Sequence, residues 1–277
     1  MIITVLHPGA MGAAVAAEAV AVGHQVLWVP DGRSPATRTR AEQAGLTAAG
    51  SLQEALDASE LVICVCPPQA AEDLATTVAA HDYQGIYLDA NAISPQRAER
   101  IAHAIRPAPV VVDGAILGPP PTGGRSCRLY LAGPPDATDL ITRVFTGTTV
   151  HPRTAGEAPG AASALKMAFA AFQKSARTLA AVSHALADTH GVSELLTEEA
   201  AVMPADILAD PGYLPSVAAR AWRWAPEMTE IADTLRTAGL PVDLATATAA
   251  VLTRWSDDKD RYQMPLDEVF DHLRDST

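Results

Sequence analysis

Short apolar runs alternate with helix-length segments through the first half of the chain. The first run is Ile2-Ile3-Thr4-Val5-Leu6 and the next is Gln25-Val26-Leu27-Trp28-Val29. Between them lie His7-Pro8-Gly9-Ala10-Met11-Gly12, an Ala-rich segment over 13–22, and Gly23. Apolar runs of this length with β-branched residues predict buried strands. Alanine is the strongest helix former, and Gly23 is placed to end that helix. Strand, glycine turn, helix and strand make a βαβ unit. The helix N-terminus of such a unit presents free N–H groups to a pyrophosphate.

The alternation continues. Residues 38–44 predict a helix closing at Gly45, and Ser51 opens a short helix through Ala58 with Glu54 as capping-box partner. Leu61–Cys66 reads as a buried parallel strand ended by Pro67-Pro68, with a helix following to about Ala80. Further strands are predicted at Gly85–Asp89, Pro109–Asp113, Leu129–Ala132 and Thr148–Val150, and Ser94-Pro95 starts another helix. Strands separated in this way predict a doubly wound parallel sheet of Rossmann type. Ligands bind such sheets beyond the carboxyl ends of the strands. The loops there are Gly9–Gly12, Cys66–Pro68, Asp89–Asn91 and Asp113–Gly118, and they are expected to face one crevice.

Past Val150 the pattern changes. Pro152 to Pro159 carries glycine and proline and marks a boundary. Residues 160–189 are nearly unbroken helix formers, apolar almost all round, which predicts a largely buried helix. Helices are also predicted over Glu194–Val202, Pro215–Trp224, Glu227–Ala238, Asp243–Arg254 and Pro265–Arg274. The fold class read from this pattern is α/β: a Rossmann-type domain over 1–152 joined to an all-α domain over 153–277.

Bulk properties narrow the function. The 277 residues are 48% hydrophobic and carry a net charge of −12, which argues against nucleic acid and anionic membranes as partners. No apolar run reaches membrane-spanning length without polar interruption. The three cysteines, Cys64, Cys66 and Cys127, make no disulfide framework and fit a reducing, cytoplasmic setting. His7, His24, His184 and His190 lack metal-ligand spacing, so no metal is expected and these histidines read as structural or surface residues.

The glycine turn lacks the first glycine of G-x-G-x-x-G, since His7 stands there. After the second strand come Asp31 and then Arg33, Ser34, Thr37, Arg38 and Arg40. A carboxylate there suits the ribose 2′-OH of NAD. Guanidinium and hydroxyl groups suit the 2′-phosphate of NADP, which Arg grips bidentately. The balance favours NADP over NAD, with Arg33 and Ser34 as the phosphate contacts. In the long helix, Lys166 has Ala162, Ser163, Phe169 and Ala170 on its face. Desolvation lowers a lysine's pKa and frees its proton for transfer, and an ammonium in a dry site also stabilises charge on a substrate oxygen.

These motifs together resemble the β-hydroxyacid dehydrogenase / 6-phosphogluconate dehydrogenase-like superfamily, and within it a branch with an uncharacterised α-helical C-terminal domain. His7-Pro8-Gly9-Ala10-Met11-Gly12 is similar to that family's glycine loop, including the Met before the last Gly. Asp89-Ala90-Asn91-Ala92-Ile93-Ser94-Pro95 is similar to its Asp-x-Ser-Thr-x-x-Pro segment. Asp113-Gly114-Ala115-Ile116-Leu117-Gly118 is similar to its substrate loop, and Gly160 to Lys166 to its catalytic-lysine helix. The likeness covers about residues 1–180. Beyond that it rests on helical character and on Ala221-Trp222-Arg223-Trp224 followed by Glu227-Met228. Leu117 stands in place of a substrate-binding Ser, Ala170 in place of an Asn, and Asn91-Ala92 in place of Ser-Thr. The set that would grip a substrate carboxylate is therefore reduced.

The resemblance implies an NADP-dependent oxidoreductase that moves hydride between the nicotinamide and a carbonyl or hydroxyl carbon of a small substrate in the interdomain cleft. Lys166 would act as general acid/base. Gly9, Ala10, Met11, Gly12, Arg33, Ser34, Cys66, Pro67 and Asn91 would bind the cofactor, and Ile116, Leu117 and Gly118 would line the substrate pocket. Trp222 and Trp224 would offer an apolar wall, with one of them in the core. A homodimer built on the long helix is implied by the same resemblance. The alternatives are reduction of a cyclic imine, favoured by Leu117 and Ala170 and disfavoured by the retained Lys, and a non-catalytic NADP-binding protein. A flavin- or S-adenosylmethionine-binding Rossmann variant would lack the logic of Arg33 and Ser34.

Overall fold

The computed structural model describes residues 1–105, 109–189, 191–203, 211–237 and 239–274, so His190 and Ala238 lie outside the described residues. The chain divides into two compact units, Met1–Lys166 and Met167–Thr277. The first unit is built on one eight-stranded sheet. Its strands are β1 (Ile2–Val5), β2 (Gln25–Trp28), β3 (Thr47–Ala48), β4 (Leu61–Cys64), β5 (Ile86–Asp89), β6 (Val110–Leu117), β7 (Cys127–Ala132) and β8 (Val150–Gly156). Its helices are α1 (Ala10–Ala21), α2 (Pro35–Gln43), α3 (Leu52–Ala58), α4 (Ala71–Ala80), α5 (Pro95–Ala104) and α6 (Pro135–Val144). Strand order is β3-β2-β1-β4-β5-β6-β7-β8, with β1 to β6 parallel.

The last two strands add one antiparallel pairing to the expected doubly wound parallel sheet. β7 runs antiparallel to β6, and β8 is parallel to β7. A parallel return needs a crossover of a dozen or more residues. Residues 118–126 hold no helix, so the chain turns straight back, whereas α6 carries it from β7 to β8. The two-residue β3 was not foreseen, because Thr47-Ala48 has no apolar pattern to betray it. β6 continues to Leu117 where a loop was expected after Asp113, because residues 114–117 pair with β7. β8 also runs past residue 152. It is the edge strand, where the missing N–H of Pro152 is tolerated.

Local chemistry places the helices. Ser34, Ser51 and Ser94 each cap the helix that follows, accepting from the backbone N–H of Thr37, Glu54 and Arg97. Glu54 reaches back as a capping box predicts, but to the N–H of Gly50 at 2.9 Å. Alternate strand residues face opposite cores. Leu61 and Ile63 join Ile3, Val15, Trp28 and Phe145 on one side, while Val62 and Cys64 join Tyr87, Ile93 and Ile101 on the other.

The long helix α7 (Ala161–Thr189) begins in the first unit and continues into the second. The second unit adds α8 (Ser193–Ala201), α9 (Leu214–Ala218), α10 (Ala221–Thr237), α11 (Asp243–Thr253) and α12 (Leu266–Arg274). Its buried residues include Leu214, Val217, Met228, Ile231, Leu252, Trp255 and Val269. Two expected helices meet differently from the reading: residues 221–237 form one helix with Pro226 inside it. Inside the unit, Lys174 is buried and forms an ion pair with Glu227. No helix among the described residues is long and apolar enough to cross a membrane.

Candidate functional site

The glycine turn sits at the carboxyl end of β1. Gly9 is the N-cap of α1, no side chain caps that end, and no acidic residue lies in the first turn. A Cβ on Gly12 would come within 2.4 Å of the His7 carbonyl oxygen, so only glycine lets the helix start this close to the strand end. Ala10 and Met11 stand in the same first turn. The helix end thus offers uncapped N–H groups and positive potential, the environment an anionic diphosphate takes.

Arg33 reaches this turn from the loop after β2. Its Nη2 donates to the Leu6 carbonyl at 2.9 Å, and its Nη1 lies 3.0 Å from His7 Nδ1. Its Nε is buried and has no partner among the described residues. Burial, then the Arg33 and Arg40 charges, lowers the pKa of His7, which keeps its ring neutral to accept from Arg33. Arg33 therefore braces the turn where the first glycine of the pattern is missing, while its Nε–H is left without a partner among the described residues. Ser34 is committed as the N-cap of α2, with its hydroxyl 3.1 Å from that of Thr37. Arg38 and Arg40 are exposed, and Arg38 Nε donates to the Arg33 carbonyl.

Asn91 ties the loops after β4 and β5. Its Oδ1 accepts from the Cys66 N–H at 2.6 Å, and its Nδ2 donates to Cys64 Sγ at 3.3 Å. Its own N–H donates to Asp89 Oδ1 at 3.0 Å, while Asp89 Oδ2 is buried without a partner among the described residues. Burial pushes the Asp89 carboxyl up to about 7, with the Asp113 charge adding and the bonds from Asn91 opposing. Pro67 follows Cys66 at the start of the short helical turn over 68–70.

Asp113 lies directly opposite Asp89 in the β5–β6 pairing. Its carboxylate accepts from the Ser163 hydroxyl at 2.6 Å and the Ser163 N–H at 3.0 Å. Burial raises its pKa, and the bonds from Ser163 and the backbone of Ala162 and Gly160 oppose that rise. A strand carboxylate thus caps the N-terminus of α7 from outside the helix. Three residues further along each element, Lys166 Nζ donates to the Ile116 carbonyl at 2.8 Å. These two bonds, Asp113 to Ser163 and Ile116 to Lys166, clamp the first turns of α7 to β6.

The predicted pocket residues sit within or at the end of β6. The side chains of Ile116 and Leu117 are buried in two different apolar clusters, Leu117 beside Ala115, Ala132 and Ala162. Gly118 has φ +119, and a Cβ there would lie 3.2 Å from Cys127 Cα. The structure gathers Gly9, Gly12 and Arg33 around His7, and Cys66 and Asn91 around Asp89. Lys166 and Ile116 meet at the third group, joined to the second through the Asp89–Asp113 pairing. Sequence reading missed His7 as a bracing residue and Asp89 and Ser163 as supports. The matching three-residue offsets of 113/116 and 163/166 were a signal, but only strand register reveals that they meet. Trp222 is exposed and Trp224 is partly buried, so neither is a core residue. Among the described residues, no cluster of His, Cys, Asp or Glu fits a metal ion.

Comparison with known proteins adds two family matches. Residues 2–109 match the family "NADP oxidoreductase coenzyme F420-dependent", and residues 187–255 match a "Domain of unknown function (DUF1932)". No curated protein matches the chain. Among solved structures, 3-hydroxyisobutyrate dehydrogenase from Mycobacterium tuberculosis, in complex with L-serine, has a TM-score of 0.78 at 19% identity and covers 99% of each chain. The conserved protein MTH1747, of unknown function and described as structurally similar to 3-hydroxyacid dehydrogenases, is 26% identical. It has a TM-score of 0.70 and covers 93% of this chain and 98% of its own. An imine reductase from Streptomyces aurantiacus is 22% identical with a TM-score of 0.58, covering 100% of both chains.

Proposed function

From a chain that joins a domain of the NADP oxidoreductase, coenzyme F420-dependent type to a helical domain of unknown function, in the fold of the hydroxyacid dehydrogenases, we propose an NADP-dependent oxidoreductase acting on a carbonyl or hydroxyl carbon of a small substrate. The observation that carries this reading is the fixed position of Lys166, held 2.8 Å from the Ile116 carbonyl on a helix whose start Asp113 caps. A bound nicotinamide dinucleotide would supply or accept the hydride.

The chain's own residues divide the remaining work. The first turn of α1, over Gly9, Ala10, Met11 and Gly12, holds the diphosphate on its N–H groups. Arg33, whose Nε has no partner among the described residues, and the neighbouring Ser34 are assigned to the 2′-phosphate, and this assignment is what favours NADP over NAD. Asn91, locked by Asp89 and Cys66, orients the loop edge at the nicotinamide end, with Pro67 shaping the turn. Lys166 delivers its proton to the substrate oxygen during reduction and takes one during oxidation, while the Ile116 carbonyl keeps the ammonium aimed. Gly118 and the backbone of Ile116 and Leu117 border the substrate.

Cyclic-imine reduction is the second reading, favoured by buried Leu117 and Ala170 at positions where polar residues would grip a carboxylate. A homodimer fits the exposed apolar face of α7, formed by Leu165, Phe169, Phe172 and Leu179. The three free thiols fit a cytoplasmic setting. The test is turnover with NADPH or NADP on a panel of β-hydroxyacids, aldehydes and cyclic imines. Hydroxyacid or aldehyde turnover that Lys166→Met abolishes, with NADPH still bound, supports the reading. Turnover of imines alone transfers the case to the second reading. Tight NADPH binding with no turnover on any substrate makes the chain a nucleotide-binding protein.

A further inference from the structure

The helical unit carries a cluster of cations that the reading above does not use. It lies where α9 meets α10, against the loop that precedes α12. The Arg220 guanidinium sits over the Tyr262 ring at 5.0 Å, and its Nη1 donates to the Ser216 carbonyl at 3.1 Å and to the Ser216 hydroxyl. Lys259 Nζ lies 4.2 Å over the Trp222 ring. Arg223 follows Arg220 by three residues, and its N–H donates to the Arg220 carbonyl at 3.1 Å. Its side chain keeps solvent contact, yet crowding around the guanidinium and then the Arg220 charge lower its pKa.

Two further features make this arrangement unusual. Among the described residues, no carboxylate forms an ion pair with Arg220, Arg223 or Lys259, whereas Arg236, Arg261 and Arg274 of the same unit are all paired. A concentration of cations with no ion pair among the described residues runs against a chain of net charge −12. Asp260 is the acid beside them, acting on Arg223 only through space. The loop that brings Lys259 and Tyr262 is also held in place. Asp260 adopts φ +65, a conformation that non-glycine residues rarely take, and donates its N–H to the Ala219 carbonyl at 3.1 Å. Asp258 is buried and bonded to Arg261 and His272 on the other side of Lys259.

We propose that Arg220, Arg223 and Lys259 form an oxyanion-binding site for the phosphate or carboxylate group of a small molecule. Like charges held together with no ion pair to a carboxylate among the described residues, and only Asp260 acting through space on one of them, favour a bound anion. An aromatic ring holds a guanidinium by its face and leaves its N–H edge directed outward, the geometry that grips oxyanions bidentately. The site draws on no residue of the unit that holds Lys166 and the glycine turn.

The test titrates the full chain with inorganic phosphate and, separately, with acetate, following tryptophan fluorescence and calorimetric heat, with and without saturating NADPH. The expected result is saturable binding of one of the anions that persists under NADPH and in Arg33→Ala. Arg223→Ala raises its dissociation constant about tenfold or more, from loss of a charge-assisted bond, and Lys259→Gln raises it less. Tighter phosphate identifies a phosphomonoester ligand, and tighter acetate a carboxylate. Three results overturn the proposal: no saturable binding of either anion, binding unchanged in both variants, or binding displaced by NADPH. Melting curves of both variants establish that they are folded; a misfolded Arg223→Ala leaves the decision to Lys259→Gln, which alters a side chain on the loop rather than the helix.

Discussion

Two lysines on one helix illustrate how differently the two units hold a charge. Lys166, in the sheet unit, is half-buried and bonded to a main-chain carbonyl of β6. Lys174, two turns on and in the helical unit, is buried, paired with Glu227 and set 5.9 Å from the Trp224 ring. In the first case the backbone of a strand does the positioning. In the second a carboxylate distant in sequence does it. A site built on strand ends therefore tolerates side-chain change around it, whereas a helical core that buries a matched charge pair depends on both members.

Replacement of each lysine in turn is the largest test of this contrast. Lys166→Met is expected to lower kcat by about 10²–10⁴-fold, the usual worth of a positioned acid/base, with the melting temperature nearly unchanged. A variant that kept kcat within a few-fold would remove Lys166 from the chemistry. Lys174→Met is expected to do the reverse, destabilising the protein by about 3–5 kcal/mol in urea unfolding because Glu227 stays buried without its partner. The pair Lys174→Met with Glu227→Leu recovers most of that loss. If the single variant is as stable as the parent, the ion pair is not supporting the helical unit.

Smaller effects probe the nucleotide side. Arg33→Ala is expected to weaken NADPH by about 1.5–3 kcal/mol, the range for a hydrogen bond to a charged group, and NADH by less. Equal losses for both nucleotides would assign Arg33 to bracing His7 alone. Asp89→Asn is expected to alter pH dependence. An acid whose pKa rises on folding is protonated in both states at low pH, and stability then falls as pH rises from about 4 to about 7. Asn at 89 removes that fall, at most about 1.4 kcal/mol per pH unit, and leaves the smaller slope from Asp113. Parallel stability–pH curves for the two proteins would place the Asp89 carboxyl at an ordinary pKa.

Much of this was legible from the chain because the governing interactions are local. Ser51 and Ser94 announce helix starts, Gly12 announces a close approach, and apolar runs announce buried strands, whereas α2 begins at Pro35, three residues before the expected start, with Ser34 as its cap. The family likeness read from the glycine loop and the lysine helix is matched by the NADP oxidoreductase family over 2–109 and by the dehydrogenase fold. What escaped depends on pairing across the sequence. The reversal at β7 follows from a connection too short for a helix, and β3 exists only because β2 offers it an edge. Arg33 was read by its charge, but its bonds to Leu6 and His7 come from the fold of a loop back onto the preceding turn. Ser34 was read as a phosphate contact, and the helix start claims its hydroxyl as acceptor. Asp89, Asp113 and Ser163 gain meaning only when β5, β6 and α7 are laid side by side.

The carbonyl that aims Lys166 belongs to the peptide unit and not to the Ile116 side chain. Any residue that keeps β6 extended supplies the same oxygen. The side chain at 116 can therefore change, within the limits set by the apolar cluster it fills, without removing the oxygen that holds the Lys166 ammonium.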